Sequence, residues 1–328
     1  MNGPPVVPPA FSGAPRPFWS VMIPTYNCAR FLGETLRSVL AQDPGPEQMQ
    51  IAVVDDHSTA DDPQAVVREV AGKRVEFYRN PRSLGAPGNF NQCIAHARGQ
   101  WIHILHGDDA VRPGFYQRLA CAIRENPGLV AAFCRAIFID EDGQWIGISD
   151  LDLPRAQVYP ELFQTLLVSN RIWTPSIVVR HAVYEAVGGF RPELPHCCDW
   201  DMWKRVAKAG PVWFDPEPLA LYRKHAAQDS ASLEKSARNI ADMRQAIAVS
   251  AAYIAPEQKG LLEKAKAKVA EIALVSAREF LERGNFRAAW RQLLEGFRTA
   301  RGFSTAGNAT VTVLAYLLRR LLKPPHRS

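Results

Sequence analysis

Between Phe18 and Leu105 the sequence repeats one unit: a short apolar run, a turn, then apolar residues at helical spacing. Phe18-Trp-Ser-Val-Met-Ile23 leads through Pro24-Thr-Tyr-Asn27 to Phe31, Leu32, Leu36, Val39 and Leu40, which recur at the spacing of one helix face. Gln50-Ile-Ala-Val-Val54 is the second strand, and Asp62-Pro63 opens the following helix as its cap and first residue. Val75-Glu-Phe-Tyr78 and Trp101–Leu105 are the third and fourth strands, with Gly85-Ala-Pro-Gly-Asn89 leading into a helix through Ile94 and Ala97 between them. Strands alternating with helices require crossover connections and hence a largely parallel sheet.

Two of these strands run into acidic pairs, Asp55-Asp56 and Asp108-Asp109. Parallel strands end on one sheet edge, the edge where open α/β folds bind ligands, so two carboxylate-bearing loops are expected to converge there. Magnesium prefers carboxylate oxygen together with substrate phosphate, which makes Asp108 a candidate for a metal-diphosphate site. The competing reading is a helix cap, since Arg112-Pro113 starts a helix close behind. A cap accounts for one acidic pair and does not predict two that converge. Gly85-Ala-Pro-Gly88 fits neither a dinucleotide fingerprint nor a P-loop, and there is no Gly-x-Ser-x-Gly elbow.

Beyond a helix from about Phe115 to Glu125, Leu129–Ile139 and Gln144–Ile148 read as a hairpin turning at Asp140-Glu-Asp-Gly143. Ile172–Val179 is a further apolar run, and a helix after it stops at Gly188-Gly189. His196-Cys-Cys-Asp-Trp-Asp-Met-Trp203 opens a helix with two carboxylates and two tryptophans. Val212–Phe214 and Leu219–Arg223 are the last strands, and the rest reads as helix: about Leu233–Ile254, Glu257–Arg283, Phe286–Ala300 and Val311–Leu322.

Charge divides the chain at the same place. Residues 1–230 carry 22 basic and 25 acidic side chains, while 231–328 carry 17 and 8, so the net +6 belongs to the C-terminal part. Those charges are spread among apolar helical positions, which speaks against nucleic acid and for either an interaction domain or a membrane-surface helix. Leu314-Ala-Tyr-Leu-Leu-Arg-Arg-Leu-Leu-Lys323 is apolar with a basic flank and too short to span, so residues beyond about Gly302 are expected to meet a membrane surface. The six cysteines form no CxxC pair, which suits a reducing, cytoplasmic setting. The proline-rich start reads as a disordered leader over 1–17, followed by an α/β domain over 18–230 and a helical basic region over 231–328.

Seven motifs in order carry a resemblance to a known family: Val21-Met-Ile-Pro-Thr-Tyr-Asn27, Val53-Val-Asp-Asp-His-Ser-Thr59, Ile104-Leu-His-Gly-Asp-Asp109, Thr174-Pro-Ser176, Gly188-Gly-Phe190, Cys198-Asp-Trp-Asp-Met-Trp203 and Tyr222-Arg-Lys-His225. From Trp19 to His225 the chain resembles the family 2 glycosyltransferases, which move sugars from nucleotide donors with inversion on a GT-A fold. The resemblance implies a Rossmann-like, mostly parallel nucleotide-sugar-binding sheet flanked by helices, with a C-terminal helical appendage.

It implies further that Pro24, Thr25, Tyr26, Asn27, Asp56, Asn89, Gly107 and Asp108 surround the nucleotide, a UDP-sugar being favoured. Asp108 matches the last Asp of the Asp-x-Asp motif and His225 a histidine that closes over metal or diphosphate, so both are implied as ligands of Mg²⁺ or Mn²⁺. Asp199 matches the catalytic base, with Trp173 and Trp200 toward a glycan or lipid-linked acceptor of bacterial surface-polysaccharide assembly. Peripheral contact with the inner membrane and homo-oligomerisation are compatible with this reading. Two positions depart from the pattern: His106 stands for the first Asp of Asp-x-Asp, and Cys198 for the Glu that often precedes the base.

The chemistry agrees with these roles. A carboxylate can take the acceptor hydroxyl's proton, and a divalent cation can meet the charge growing on the departing diphosphate. From the residues alone, His225 reads equally as a strand-end histidine with one backbone hydrogen bond, His103 as structural, and Trp203 as a core anchor. A second class stays open, a sugar-nucleotide or polysaccharide-binding module without turnover, motivated by His106 and Cys198. A sugar-nucleotide pyrophosphorylase lacks support, because no glycine- and lysine-bearing phosphate loop lies near residue 25.

Overall fold

The computed structural model describes residues 3–9, 15–226 and 228–300. The chain divides into two compact units, one of Met1–Leu166 and Asn170–His225, the other of Leu167–Ser169 and Ala226–Ser328. The elements in order are β1 (Trp19–Thr25), α1 (Ala29–Leu40), β2 (Met49–Asp55), α2 (Pro63–Ala71), β3 (Glu76–Arg79), α3 (Gly85–His96), β4 (Trp101–Ile104), β5 (Ala110–Val111), α4 (Phe115–Glu125), β6 (Ala131–Ile139), β7 (Trp145–Ile148), β8 (Gln157–Val158), α5 (Leu162–Val168), β9 (Ile177–Arg180), α6 (His181–Val187), α7 (Cys198–Ala209) and β10 (Val212–Arg223). The second unit continues with α8 (Asp229–Ser236), α9 (Arg238–Ser250), α10 (Lys259–Glu282) and α11 (Phe286–Thr299). No described helix is long and apolar enough to cross a membrane.

One sheet runs through the first unit in the order β3-β2-β1-β4-β9-β6-β10-β5, with β7 on β6 and β8 on β10. β1 pairs parallel with β2 and β4, and β2 with β3, as the alternation of strand and helix demands. All seven residues of β1 and of β2 are buried, so both faces are covered and the strands read as continuous apolar runs. β9 lies antiparallel to both β4 and β6, and β6 is parallel to β10. Two reversals cancel, so β10 ends on the same edge as β1, β2 and β4, and this brings His225 toward Asp108.

Several elements differ from the expected ones. β10 is a single strand whose register against β6 shifts around Asp215 and Pro218, not two strands. Proline has no N–H for the ladder, so the two prolines are accommodated at an irregularity that leaves the strand continuous. The helix expected over Leu233–Ile254 is two, broken at Ala237, which takes left-handed φ of 59°. The expected Val311–Leu322 helix lies outside the described residues. Within the expected disordered leader, residues 3–9 have defined positions: the Pro5 carbonyl accepts the Gly189 N–H at 2.7 Å and Val7 is buried.

Candidate active site

The loop after β4 carries the acidic turn. Gly107 donates its N–H to the Pro24 carbonyl, and a Cβ there would lie 3.0 Å from Thr25 Oγ1 and 3.1 Å from Cys28 Sγ. Any side chain there would push Thr25 or Cys28 aside by a few tenths of an ångström, so glycine suits a turn that passes this close to the β1 loop and sets Asp108 beside it. Neither carboxylate caps a helix, because α4 starts at Phe115 behind Gly114 as its cap. Asp109 Oδ1 instead accepts the Arg223 N–H at 2.9 Å, and Asp108 Oδ2 lies 3.0 Å from His225 Nε2. The capping alternative is thereby removed.

His106, Asp108 and Asp109 offer ligand atoms that all lie within 4.8 Å of one another. His106 stacks on Phe90 at 5.1 Å between ring centroids, and its Nδ1 is 3.3 Å from Asp109 Oδ2. Its Nε2 is buried with no hydrogen-bond partner. The departure from Asp-x-Asp thus replaces a carboxylate by an imidazole that still presents a donor atom. Carboxylate oxygens with an imidazole nitrogen and one buried, unpaired donor fit a divalent cation of the Mn²⁺ or Mg²⁺ kind.

Burial alone would raise the Asp108 carboxyl, but the His225 hydrogen bond and the charge of His106 outweigh it and hold it below its ordinary value. Asp109 goes the other way, pushed by burial to about 6. Burial opposes charge on His106, yet Asp109, Asp108 and Asp199 together draw its pKa up. Three carboxylates therefore act on one imidazole, an arrangement that a cation would relieve.

Asp199 sits in the first turn of α7, with Oδ1 accepting the Trp200 N–H at 2.6 Å and Oδ2 accepting the Asn170 side-chain amide at 3.1 Å. Burial pushes its carboxyl up to about 6, opposed by these bonds and the His106 charge. Asp201 has a different environment: fully buried, its Oδ2 meets Arg205 at 2.8 Å and Arg191 at 3.3 Å. Asn170 also borders a cavity of about 180 Å³ lined with Phe138, Asp150, Asp152, Arg171 and Trp173. Trp173 packs edge-on to Phe138 at 4.7 Å, and Arg171 pairs with both Asp150 and Asp152.

The expected nucleotide residues are distributed around the ends of β1 and β2. Tyr26 is exposed, while Thr25 is buried with its hydroxyl 2.9 Å from Cys28 Sγ. Asn27, at φ of 49°, ties the two loops together by accepting the Thr59 and Ala60 N–H groups. The Asp56 oxygens accept from Asn80, Ser83, Leu84 N–H and Gly85 N–H, so this carboxylate seats the start of α3. Asn89 is buried, donating to the Val54 carbonyl and accepting from Asn80. Asp56 and Asn89 therefore shape the loops and present little free polar surface.

Trp200, expected toward the acceptor, is only 4% exposed, and its indole N–H donates to the Leu166 carbonyl at 2.7 Å. It is a core residue, because α7 turns Trp200 and Trp203 inward together. His103 is structural, held between the Tyr116 hydroxyl and the Pro175 carbonyl, and burial pushes it down to about 3. Two residues had no role assigned from the sequence. Asn170 contacts the candidate base, and Arg223, 1% exposed, donates to the Asp108 and Asp140 carbonyls and thereby fixes the acidic turn. The only hint in the sequence was that Arg223 belongs to the same motif as His225.

A mixed, largely parallel sheet with carboxylates at its strand ends and a further carboxylate at a helix start forms the ligand-binding edge of an open α/β fold. The family model for glycosyl transferase family 2 matches residues 20–185. An uncharacterized protein of Mycobacterium tuberculosis is 31% identical over 241 residues, covering 70% of this chain and 74% of that one. An uncharacterized glycosyltransferase of Haemophilus influenzae is 24% identical over 222 residues, 65% of this chain and 68% of its own.

Among the solved structures that share the fold are two bound to nucleotide sugars. One is S. aureus TarS with UDP-GlcNAc, at TM-score 0.57 and 15% identity over 85% of this chain and 91% of that one. The other is a mannosyltransferase of Pyrobaculum calidifontis with GDP-Man and Mn²⁺, at TM-score 0.57 and 18% identity over 97% and 85%. The chain belongs to glycosyl transferase family 2, and it is a glycosyltransferase.

Proposed function

We propose that this enzyme moves a sugar from a nucleoside-diphosphate donor, a UDP-sugar by preference, to a hydroxyl of a glycan or lipid-linked acceptor, with inversion at the anomeric carbon. The observation that carries this reading is the pairing of the His106–Asp108–Asp109 cluster at the end of β4 with a separate carboxylate, Asp199, within electrostatic reach of His106. One carboxylate group can face the diphosphate and the other the acceptor.

Asp108, with His106 and His225, would hold a divalent cation, Mn²⁺ suiting the mixed oxygen and nitrogen donors. Bound there, the cation supplies Lewis acidity toward the leaving diphosphate. Tyr26, Asn27 and the Asp56-anchored loop would border the nucleotide. Asp199 Oδ2 accepts the acceptor hydroxyl's proton as that oxygen attacks, and Asn170, which borders the cavity, holds the carboxylate in place. Trp173 and Phe138 offer an aromatic wall to a sugar ring, while Asp150 and Asp152 offer acceptors for its hydroxyls. One direct displacement needs no protein nucleophile, and it inverts the centre.

Such an acceptor suits surface-polysaccharide assembly on the inner side of a bacterial membrane. The test is a panel of nucleotide sugars scored for released nucleotide with and without acceptor, at added Mn²⁺, Mg²⁺ or chelator. Metal-dependent release by wild type, abolished in Asp199→Asn, supports the reading. Donor binding with no release under any condition favours the binding module.

A further inference from the structure

Among the described residues, α11 carries exposed apolar side chains on the side away from the residues it buries. α11 buries Ala288, Ala289, Gln292, Leu293, Gly296 and Thr299. Its other side exposes Phe286 by 48%, Trp290 by 62%, Leu294 by 39% and Phe297 by 36%. These four recur at i, i+4, i+8 and i+11, so they stand one above another as a single stripe. Arg287, Arg291 and Arg298 each follow a member of the stripe by one residue and form a parallel row beside it. No acidic residue falls within stripe or row; Glu295, at the row's outer border, is already paired with Arg244 and Arg298.

We propose that this face of α11 docks the enzyme on an anionic lipid surface, a property separate from the transfer reaction. The composition decides the occupant. Phenylalanine, tryptophan and leucine suit the headgroup and acyl boundary, and arginines at the border suit anionic headgroups. At 14 residues the helix is too short to span a bilayer, so it lies in the interface plane. A second copy docking through the same stripe would bring two rows of like charge to one interface, which opposes association.

The experiment uses the full chain and vesicles of mixed phosphatidylglycerol and phosphatidylcholine, compared with phosphatidylcholine alone, by co-sedimentation at low and high salt. Wild type should bind the anionic vesicles at low salt and be released by high salt. Trp290→Ser/Leu294→Ser and Arg287→Glu/Arg298→Glu alter exposed side chains, so thermal unfolding should match wild type. The arginine pair should weaken binding by about tenfold or more, since one basic side chain at an anionic surface is worth roughly fivefold, and the apolar pair should weaken binding even where the charge is kept.

Wild type that ignores anionic vesicles overturns the proposal. So does unchanged binding by both double variants, including the case where binding is lost only in Arg319→Glu/Arg320→Glu. A wild-type dimer in light scattering that Trp290→Ser/Leu294→Ser converts to monomer, without vesicle binding, assigns the face to a second copy instead.

Discussion

The side-chain amide of Asn170 donates to Oδ2 of Asp199 at 3.1 Å, while Asn170 Oδ1 accepts the N–H of Ile172. The amide is thus oriented by the backbone and in turn fixes one carboxylate oxygen. This hydrogen bond also lowers the Asp199 pKa against the rise caused by burial.

Asn170→Ala should therefore reduce kcat by roughly tenfold while leaving donor KM unchanged, as expected for a lost positioning contact. The acid limb of the pH profile should also move to higher pH, and further in Asn170→Asp, which adds a like charge. A merely structural Asn170 would lower stability and leave the limb where it is.

The wild-type pH profile follows from Asp199 itself. Its carboxyl is pushed to about 6 by burial, and only the deprotonated form accepts a proton. As pH falls below that value, kcat/KM should fall by about tenfold per unit. Rates measured from neutral pH to pH 5 that stay flat contradict the assignment.

Asp108→Ala should weaken nucleotide binding in the presence of Mn²⁺ and remove the difference between metal and chelator, measured by calorimetry. The same variant with unchanged metal-dependent binding would move the cation elsewhere.

The two tryptophans expected toward the acceptor should separate. Trp173→Ala removes an aromatic wall and should raise acceptor KM with donor KM unchanged. Trp200→Phe removes a buried donor to the Leu166 carbonyl, so it should cost about 1 kcal/mol of stability and leave acceptor KM alone. An acceptor effect confined to Trp200 contradicts this division.

The sheet edge was legible because parallel strands must end together, which brings the Asp56 and Asp108 loops to one side without any tertiary information. The family resemblance singled out Asp199 rather than Asp201, and the two, two residues apart on α7, lie on different faces, Asp201 being taken up by Arg205 and Arg191. Arg223 was not legible as a support of the acidic turn. Its position depends on two antiparallel reversals through β9, and nothing local announces them. Trp200 was misread for a related reason, since helical spacing says which residues share a face and not which face meets the core. His106 appeared as a lost carboxylate because the pattern registers residue identity; its geometry retains a donor atom at the cluster.

The most direct test of the account is single-turnover sugar transfer by Asp199→Asn, with Asp201→Asn beside it and donor binding measured for both. Asparagine keeps size and polarity but removes the basic oxygen, so Asp199→Asn should bind donor and metal as wild type and transfer at least about 10²-fold more slowly. Asp201→Asn breaks a buried pair with Arg205 and Arg191, so it should unfold at lower temperature while its folded fraction still transfers. Near wild-type transfer by Asp199→Asn would contradict the central claim, and a folded but inactive Asp201→Asn would then move the proton transfer to the other carboxylate.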